Sequence, residues 1–149
     1  MLRSLTSLLL LLLFMSAGAA PVRAADDASM MTRQQADTLL ASGRLRHLRS
    51  KSEIPKVWWE AMGLDGMSDI GGPFSSGCTG PEPHRRLITG AISEPYAVLV
   101  TEQGGIAYFT ELRLFKHKKD AVKCVYHESV REPRLNEIRE KLGESHRTP

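Results

Sequence analysis

The spacing of hydrophobic residues changes along the chain from one apolar run to helical and then to strand periodicity. Residues 5–20 are almost all apolar or small, residues 32–62 carry apolar positions three and four apart, and residues 86–128 alternate apolar and polar positions. Helical spacing indicates one buried helix face, whereas alternation indicates a strand with one buried side. The sequence therefore predicts an apolar terminal segment, then helices, then a sheet.

Two helices are predicted before the sheet. A capping-box pattern at Thr32 and a glycine suited to a left-handed cap at Gly43 predict a first helix over 32–42. A second apolar face predicts a helix over Glu53–Met62. Trp59 points away from that apolar face, which makes it a candidate exposed aromatic residue.

Four strands are predicted in the second half, joined by short turns that favour an antiparallel meander. Ile106 and Tyr108 are assigned to the buried side of the third strand, opposite Glu111 and Arg113. A last helix is predicted to open at Pro133. The predicted strands are Arg86–Ser93, Tyr96–Glu102, Ile106–Phe115 and Ala121–Glu128. The expected fold class is α+β, with helices on one face of the sheet and a more hydrated opposite face.

Residues 63–84 interrupt every periodicity. They hold six of the chain's 12 glycines and three of its 8 prolines. A structureless stretch of this length inside a small domain is usually functional or disordered. We therefore expect a binding surface around this loop, and the candidate residues are Trp59, Phe74, Arg85 and Arg86.

Residues 1–24 have the form of a cleavable signal peptide. Arg3 precedes an apolar run over 8–15 that is too short to cross a bilayer, and small residues ending at Ala24 suit a signal peptidase. The expected organisation is a signal over 1–24, a flexible leader over 25–31, one domain over 32–143 and a tail over 144–149. The alanine-rich end of the signal is typical of bacteria and favours the periplasm over a eukaryotic secretory route, with secretion as the alternative.

Charge and hydropathy narrow the function classes. The chain has 20 Lys and Arg against 17 Asp and Glu, and cleavage would remove Arg3 and Arg23, leaving a net charge near +1. So small a charge gives no strong field for nucleic acid. No second long apolar run follows the signal, so no stable membrane anchor is expected after cleavage.

The two cysteines, Cys78 and Cys124, both lie after the signal. In an exported domain of this size, two cysteines most often form one disulfide. The predicted bond would attach the 63–84 loop to the fourth strand.

Reactive groups are sparse. No two histidines have a metal-ligand spacing on one element, so no metal site and no cofactor are predicted. Cys78 with His84 or His127 would be the components of a thiol enzyme, which oxidation to a disulfide would disfavour.

The sequence therefore predicts a small exported, non-enzymatic protein that binds or inhibits a protein partner through the disulfide-attached loop. Two alternatives remain open. One is a secreted hydrolase or thiol enzyme that uses Cys78. The other is an envelope protein that binds a small ligand on the hydrated face of the sheet.

Overall fold

An antiparallel sheet of five strands forms the centre of the protein, and each strand pairs with its neighbour in the sequence. The computed structural model describes residues 30–119 and 121–143, so the predicted signal peptide and tail lie outside the described residues. The strands are β1 (Arg46–His47), β2 (Arg85–Ser93), β3 (Tyr96–Gln103), β4 (Phe109–Lys118) and β5 (Ala121–Val130). The sheet thus has one strand more than predicted, because two-residue β1 is too short to show a period of two.

Among the described residues, three α-helices accompany the sheet: α1 (Arg33–Leu40), α2 (Trp59–Met62) and α3 (Glu132–Lys141). The predicted capping box is present at the start of α1, where Gln35 N–H donates to the Thr32 hydroxyl and Thr32 N–H donates to the Gln35 side chain. Met31, assigned to the flexible leader, donates its N–H to the Val125 carbonyl at 2.7 Å. Met31 is therefore attached to β5 instead of being part of a flexible leader.

The predicted helix over Glu53–Met62 is wrong for most of its length. The segment consists of 3₁₀ turns at Lys51–Glu53 and Lys56–Trp58, followed by the single turn of α2. The cause is Pro55, which disfavours helical conformation in the residue before it, and Ile54 is extended with ψ 131°. The end was predicted correctly, because Gly63 closes α2 with a φ of +66°.

Both faces of the sheet are covered, so the expectation of helices on one face is also wrong. The first core lies between the sheet and helices α1 and α3, and the second lies between the sheet and the 51–67 segment. Central strand β3 is buried from Ala97 to Glu102, and its successive residues alternate between the two cores. The largest fully buried side chains are Leu40, Leu48, Ile54, Met62, Leu64, Leu87, Leu99, Leu112, Leu114 and Ile138.

One arginine joins the elements around the first core. Arg134 of α3 lies 2.5 Å from Asp37 of α1 and 2.9 Å from Glu128 of β5, and it also lies 2.8 Å from Glu137. Its side chain is only 10% exposed. Lys141 adds a second cation, 2.6 Å from Glu137. These contacts fix α1 and α3 to each other and to the edge strand.

In the part of the chain that the structure describes, no helix has the length and apolar character needed to cross a membrane.

Candidate functional site

Four consecutive apolar residues, 106–109, are exposed at the turn between β3 and β4. Ile106 is fully exposed, Tyr108 is 59% exposed and Phe109 is 38% exposed. A run of this kind is unfavourable on a free surface and typically has a functional reason. The sequence prediction placed Ile106 and Tyr108 inside the sheet, but β4 begins only at Phe109.

A buried carboxylate holds this turn in place. Glu102, near the end of β3, is 6% exposed. Its Oε1 lies 2.6 Å from Nε of Arg86, and its Oε2 accepts a hydrogen bond from the Tyr108 hydroxyl at 2.9 Å. A buried charge is stable only when it is paired in this way. The backbone from β3 to Tyr108 is therefore fixed at both ends.

The phenol of Tyr108 remains a hydrogen-bond donor at neutral pH. A hydrogen bond with Thr110 lowers the pKa of Tyr108, but burial and the neighbouring Glu102 carboxylate outweigh that effect, so that the net shift is upward. The proton therefore stays on the hydroxyl that faces Glu102.

Phe74 of the long loop packs into the same arrangement. Its ring lies 5.0 Å from the Arg86 guanidinium carbon and meets the Tyr108 ring edge-on, with 6.2 Å between the ring centroids. Arg86 also donates from Nη1 to the Gly72 carbonyl at 3.0 Å. We define the tip surface as Phe74 together with the exposed residues Ile106, Ala107, Tyr108 and Phe109.

Backbone hydrogen bonds attach the loop to the β3–β4 turn. Gly104 N–H donates to the His84 carbonyl at 2.7 Å, and Gly105 N–H donates to the Ser76 carbonyl at 3.2 Å. Gly104 must be a glycine here, because a Cβ at this position would overlap the Ser75 carbonyl oxygen. Residues 76–82 remain exposed beside the tip surface.

Gly104→Ala is expected to lower the free energy of unfolding by about 2 kcal/mol, because overpacking against backbone typically costs 1–3 kcal/mol. The displaced loop should also lose hydrogen-exchange protection at the amide of residue 105. Urea unfolding and hydrogen exchange measure the two effects. Gly77→Ala is the matched control, since a Cβ at Gly77 meets nothing within 4 Å. Equal stability of the two variants would contradict the tight contact at Gly104.

The predicted Cys78–Cys124 disulfide is not formed, since both cysteines are exposed free thiols. The loop is attached by the other contacts described above. Cys78 lies two residues from Ser76 and so beside the β3–β4 turn. Cys124 pairs with Phe115, whereas Val130 pairs with Thr110 near the turn. Six residues of strand span roughly 20 Å. A disulfide requires Cα atoms within about 7 Å, so strand register keeps the two cysteines apart.

The four predicted binding residues occupy different places. Phe74 and Arg86 belong to the tip arrangement, but Trp59 packs against the second core and donates from Nε1 to the Ile54 carbonyl at 3.1 Å. Its ring lies 5.0 Å from the ammonium group of Lys51. Arg85 points to the opposite face of the sheet from Arg86, because adjacent strand residues alternate.

The groups considered for thiol chemistry do not converge. The Nδ1 of His84 lies 3.2 Å from the Ser75 carbonyl, and His127 pairs with Arg113 in the β4–β5 ladder. Cys124 donates its thiol hydrogen to the Tyr126 carbonyl at 3.3 Å, and although the residue as a whole is exposed, partial burial of its sulfur raises the pKa of Cys124. Among residues 30–119 and 121–143, no group of three His, Cys, Asp or Glu side chains is placed to hold a metal ion.

Comparisons with protein-family models, with curated proteins and with solved structures find no match to this chain. The site therefore has to be judged from its own geometry. Glu102, Ile106, Tyr108 and Phe109 belong to the site but were not predicted from the sequence as site residues. An available signal was the run of four apolar residues directly after the Gly104-Gly105 pair.

Proposed function

We propose that this protein is a small exported, non-enzymatic protein that binds a protein partner through the tip surface. Export, with the periplasm as destination, is proposed from the signal-like residues 1–24. The observation that carries the binding proposal is the exposed run 106–109, held on a turn that is fixed at several points. The 63–84 loop contributes Phe74 and the exposed residues 76–82. Hydrogen bonds and packing, instead of a disulfide, hold it against the turn.

The composition of the tip surface supports a protein partner. Aromatic residues and arginine are enriched at the centres of protein interfaces, where they account for most of the binding energy. The tip surface presents Tyr108 and Phe109 with Ile106, and Arg86 lies directly beneath Phe74. A partner surface with an apolar depression would remove these side chains from water.

The rigidity of the tip supports the same proposal. Binding costs conformational entropy when the interacting side chains have to be ordered, and a surface that is already ordered avoids much of that cost. Glu102 fixes Tyr108, while Phe74 packs against both Arg86 and Tyr108. These contacts explain why the β3–β4 turn is held in one conformation although most of its own residues are exposed.

The double variant Ile106→Ser/Phe109→Ser is expected to weaken partner binding by at least about 30-fold, since a central interface residue contributes about 2 kcal/mol or more. The measurement is quantitative capture from envelope extract, with the tagged wild-type chain defining one stoichiometric partner. Purified partner is then titrated against each variant.

Val57→Ser is the matched control, because Val57 is 87% exposed and lies outside the tip surface. It should bind the partner as the wild type does. Equal weakening by the control, or unchanged binding by the double variant, would contradict the assignment of the surface. Concentration-dependent self-association that only the double variant abolishes would identify a second copy of the chain as the occupant and overturn the proposal of a different partner.

A further inference from the structure

A polar region occupies one end of the sheet face that carries the second core. Arg85 pairs with Gln103, and Gln103 pairs with Phe109, so these three residues form one row across β2, β3 and β4. Directly paired residues in an antiparallel sheet point to the same face. Glu111 and Arg113 follow Phe109 on that face at alternate positions of β4. These five residues are exposed or partly exposed.

Arg85 is the unusual member of the row. Its guanidinium lies against the end of α2, since a Cβ on Gly63 would be 3.4 Å from Nη2 of Arg85. The side chain is half-buried and makes no hydrogen bond or ion pair with the residues that the structure describes. Burial and the neighbouring Arg113 lower the pKa of Arg85, and Glu111 offsets only part of this effect. The guanidinium of Arg85 therefore lies near Arg113 and has no acceptor for its hydrogen bonds among the described residues.

The charges facing this region leave one positive charge uncompensated. Glu111 is already paired with Arg113, at 2.5 Å between Oε1 and Nη2. The residues of β3 on this face, Leu99, Thr101 and Gln103, are uncharged. On β5, the facing residues are Cys124, His127 and Ser129. A single negative charge would balance the region, and a planar carboxylate matches the two parallel N–H donors of a guanidinium.

An apolar surface adjoins the unpaired guanidinium. Phe109 lies in the same row as Arg85, two strands away, which corresponds to about 10 Å between Cα atoms. The Phe109 side chain is 38% exposed. A ligand with its carboxylate on Arg85 could therefore extend across Gln103 and place an apolar group on Phe109.

We propose that Arg85, with Gln103 and Phe109, forms a binding site for a small carboxylate joined to an apolar group. The guanidinium of Arg85 donates two hydrogen bonds to the carboxylate, and Phe109 covers the apolar part. The site shares Phe109 with the tip surface, but its anion-binding group, Arg85, lies outside that surface, on the hydrated end of the sheet.

Phenylacetate is the probe, titrated into the full chain labelled with ¹⁵N-arginine. The Nε–H resonance of Arg85 should shift with half-saturation on the order of millimolar. Acetate should bind about tenfold more weakly, because it lacks the ring that Phe109 covers. Inorganic phosphate, which lacks both the planar carboxylate and the ring, should bind more weakly than phenylacetate.

Three variants complete the experiment. Arg85→Gln should weaken phenylacetate binding by about tenfold or more, as expected for the loss of a charge-assisted pair. Phe109→Ala, at an exposed position that does not endanger folding, should reduce phenylacetate affinity to that of acetate and leave acetate binding unchanged. Arg44→Gln removes an exposed arginine elsewhere and should have no effect.

The inference is overturned by any of four results. These are an Arg85 resonance that does not respond to phenylacetate, equal affinities for phenylacetate and acetate, tighter binding of phosphate, and phenylacetate binding that survives Arg85→Gln. Because none of these measurements involves a protein partner, failure here leaves the test of the tip surface unaffected.

Discussion

Arg134→Ala should lower the free energy of unfolding by about 3 kcal/mol, the lower end of the range for removing one partner from a buried ion pair. Arg134 is 10% exposed and holds three carboxylates, on α1, β5 and α3. Without it, Asp37 and Glu128 remain close together, with side chains 28% and 15% exposed, and only partial compensation from Lys141. Urea unfolding followed by tryptophan fluorescence measures the change.

Arg44→Ala is the matched control, because it removes an arginine with an exposed side chain. Its effect should stay within about 0.5 kcal/mol, as for most surface substitutions. A loss below about 1 kcal/mol in Arg134→Ala would show that the network contributes no more than a surface ion pair, for which that is the usual upper limit.

The same network should make stability dependent on acid pH. Hydrogen bonds from Lys141 and Arg134 lower the pKa of Glu137 to about 2 from an ordinary value of 4.5. Burial raises the pKa of Asp37, but Arg134 and Lys141 outweigh it and the net shift is downward. The folded state therefore binds these protons less readily, so stability is present above about pH 4.5 and is lost as the pH falls toward 2. Arg134→Ala should flatten this dependence.

Glu102→Ala is expected to lower the free energy of unfolding by about 2 kcal/mol, in the range of a charge-assisted hydrogen bond. Its carboxylate is the shared acceptor for Arg86 and Tyr108. Removing it leaves the Arg86 guanidinium beneath Phe74 without its anion and releases the Tyr108 hydroxyl. Amide exchange at residues 105–110 should accelerate more than exchange in the centre of the sheet.

Glu82→Ala provides the control for Glu102→Ala, since Glu82 is an exposed carboxylate on the neighbouring loop. It should change neither stability nor exchange at the turn. If Glu102→Ala leaves exchange at residues 105–110 unchanged, the turn is held by the Gly104 and Gly105 backbone contacts alone. That result would remove the Glu102 contacts from the argument for a preordered tip.

The candidate site could be predicted from the sequence only in part. Phe74 and Arg86 were selected because they lie in or beside an unusual loop, and both belong to the tip arrangement. Trp59 was selected by its position on a predicted helix that Pro55 prevents from forming. Glu102 reads as an ordinary strand carboxylate. Its importance depends on Arg86, which strand pairing places beside it, and on Tyr108, which the β3–β4 turn brings to it.

The two cysteines show that the expected cellular compartment and the cysteine count do not by themselves determine whether a disulfide forms. Two cysteines in a small exported chain favour a disulfide, but the bond also requires a particular separation of Cα atoms. The register of β4 with β5 sets the position of Cys124, and the contacts of Ser75 and Ser76 with the β3–β4 turn set that of Cys78. The spacing of the two cysteines in the sequence determines neither of these positions.

The local signals in the sequence determined the mixed helical and antiparallel character of the protein, the capping box at Thr32 and the helix end at Gly63. Each depends on a few neighbouring residues or on the period of two along a strand. Only the tertiary structure decided that both faces of the sheet are covered, that Ile106 lies in solvent and that Arg85 lies beside Arg113. These features depend on which distant segments pack against the sheet. The packing is fixed by burial and by buried charge pairs across many residues of sequence, which no local pattern records.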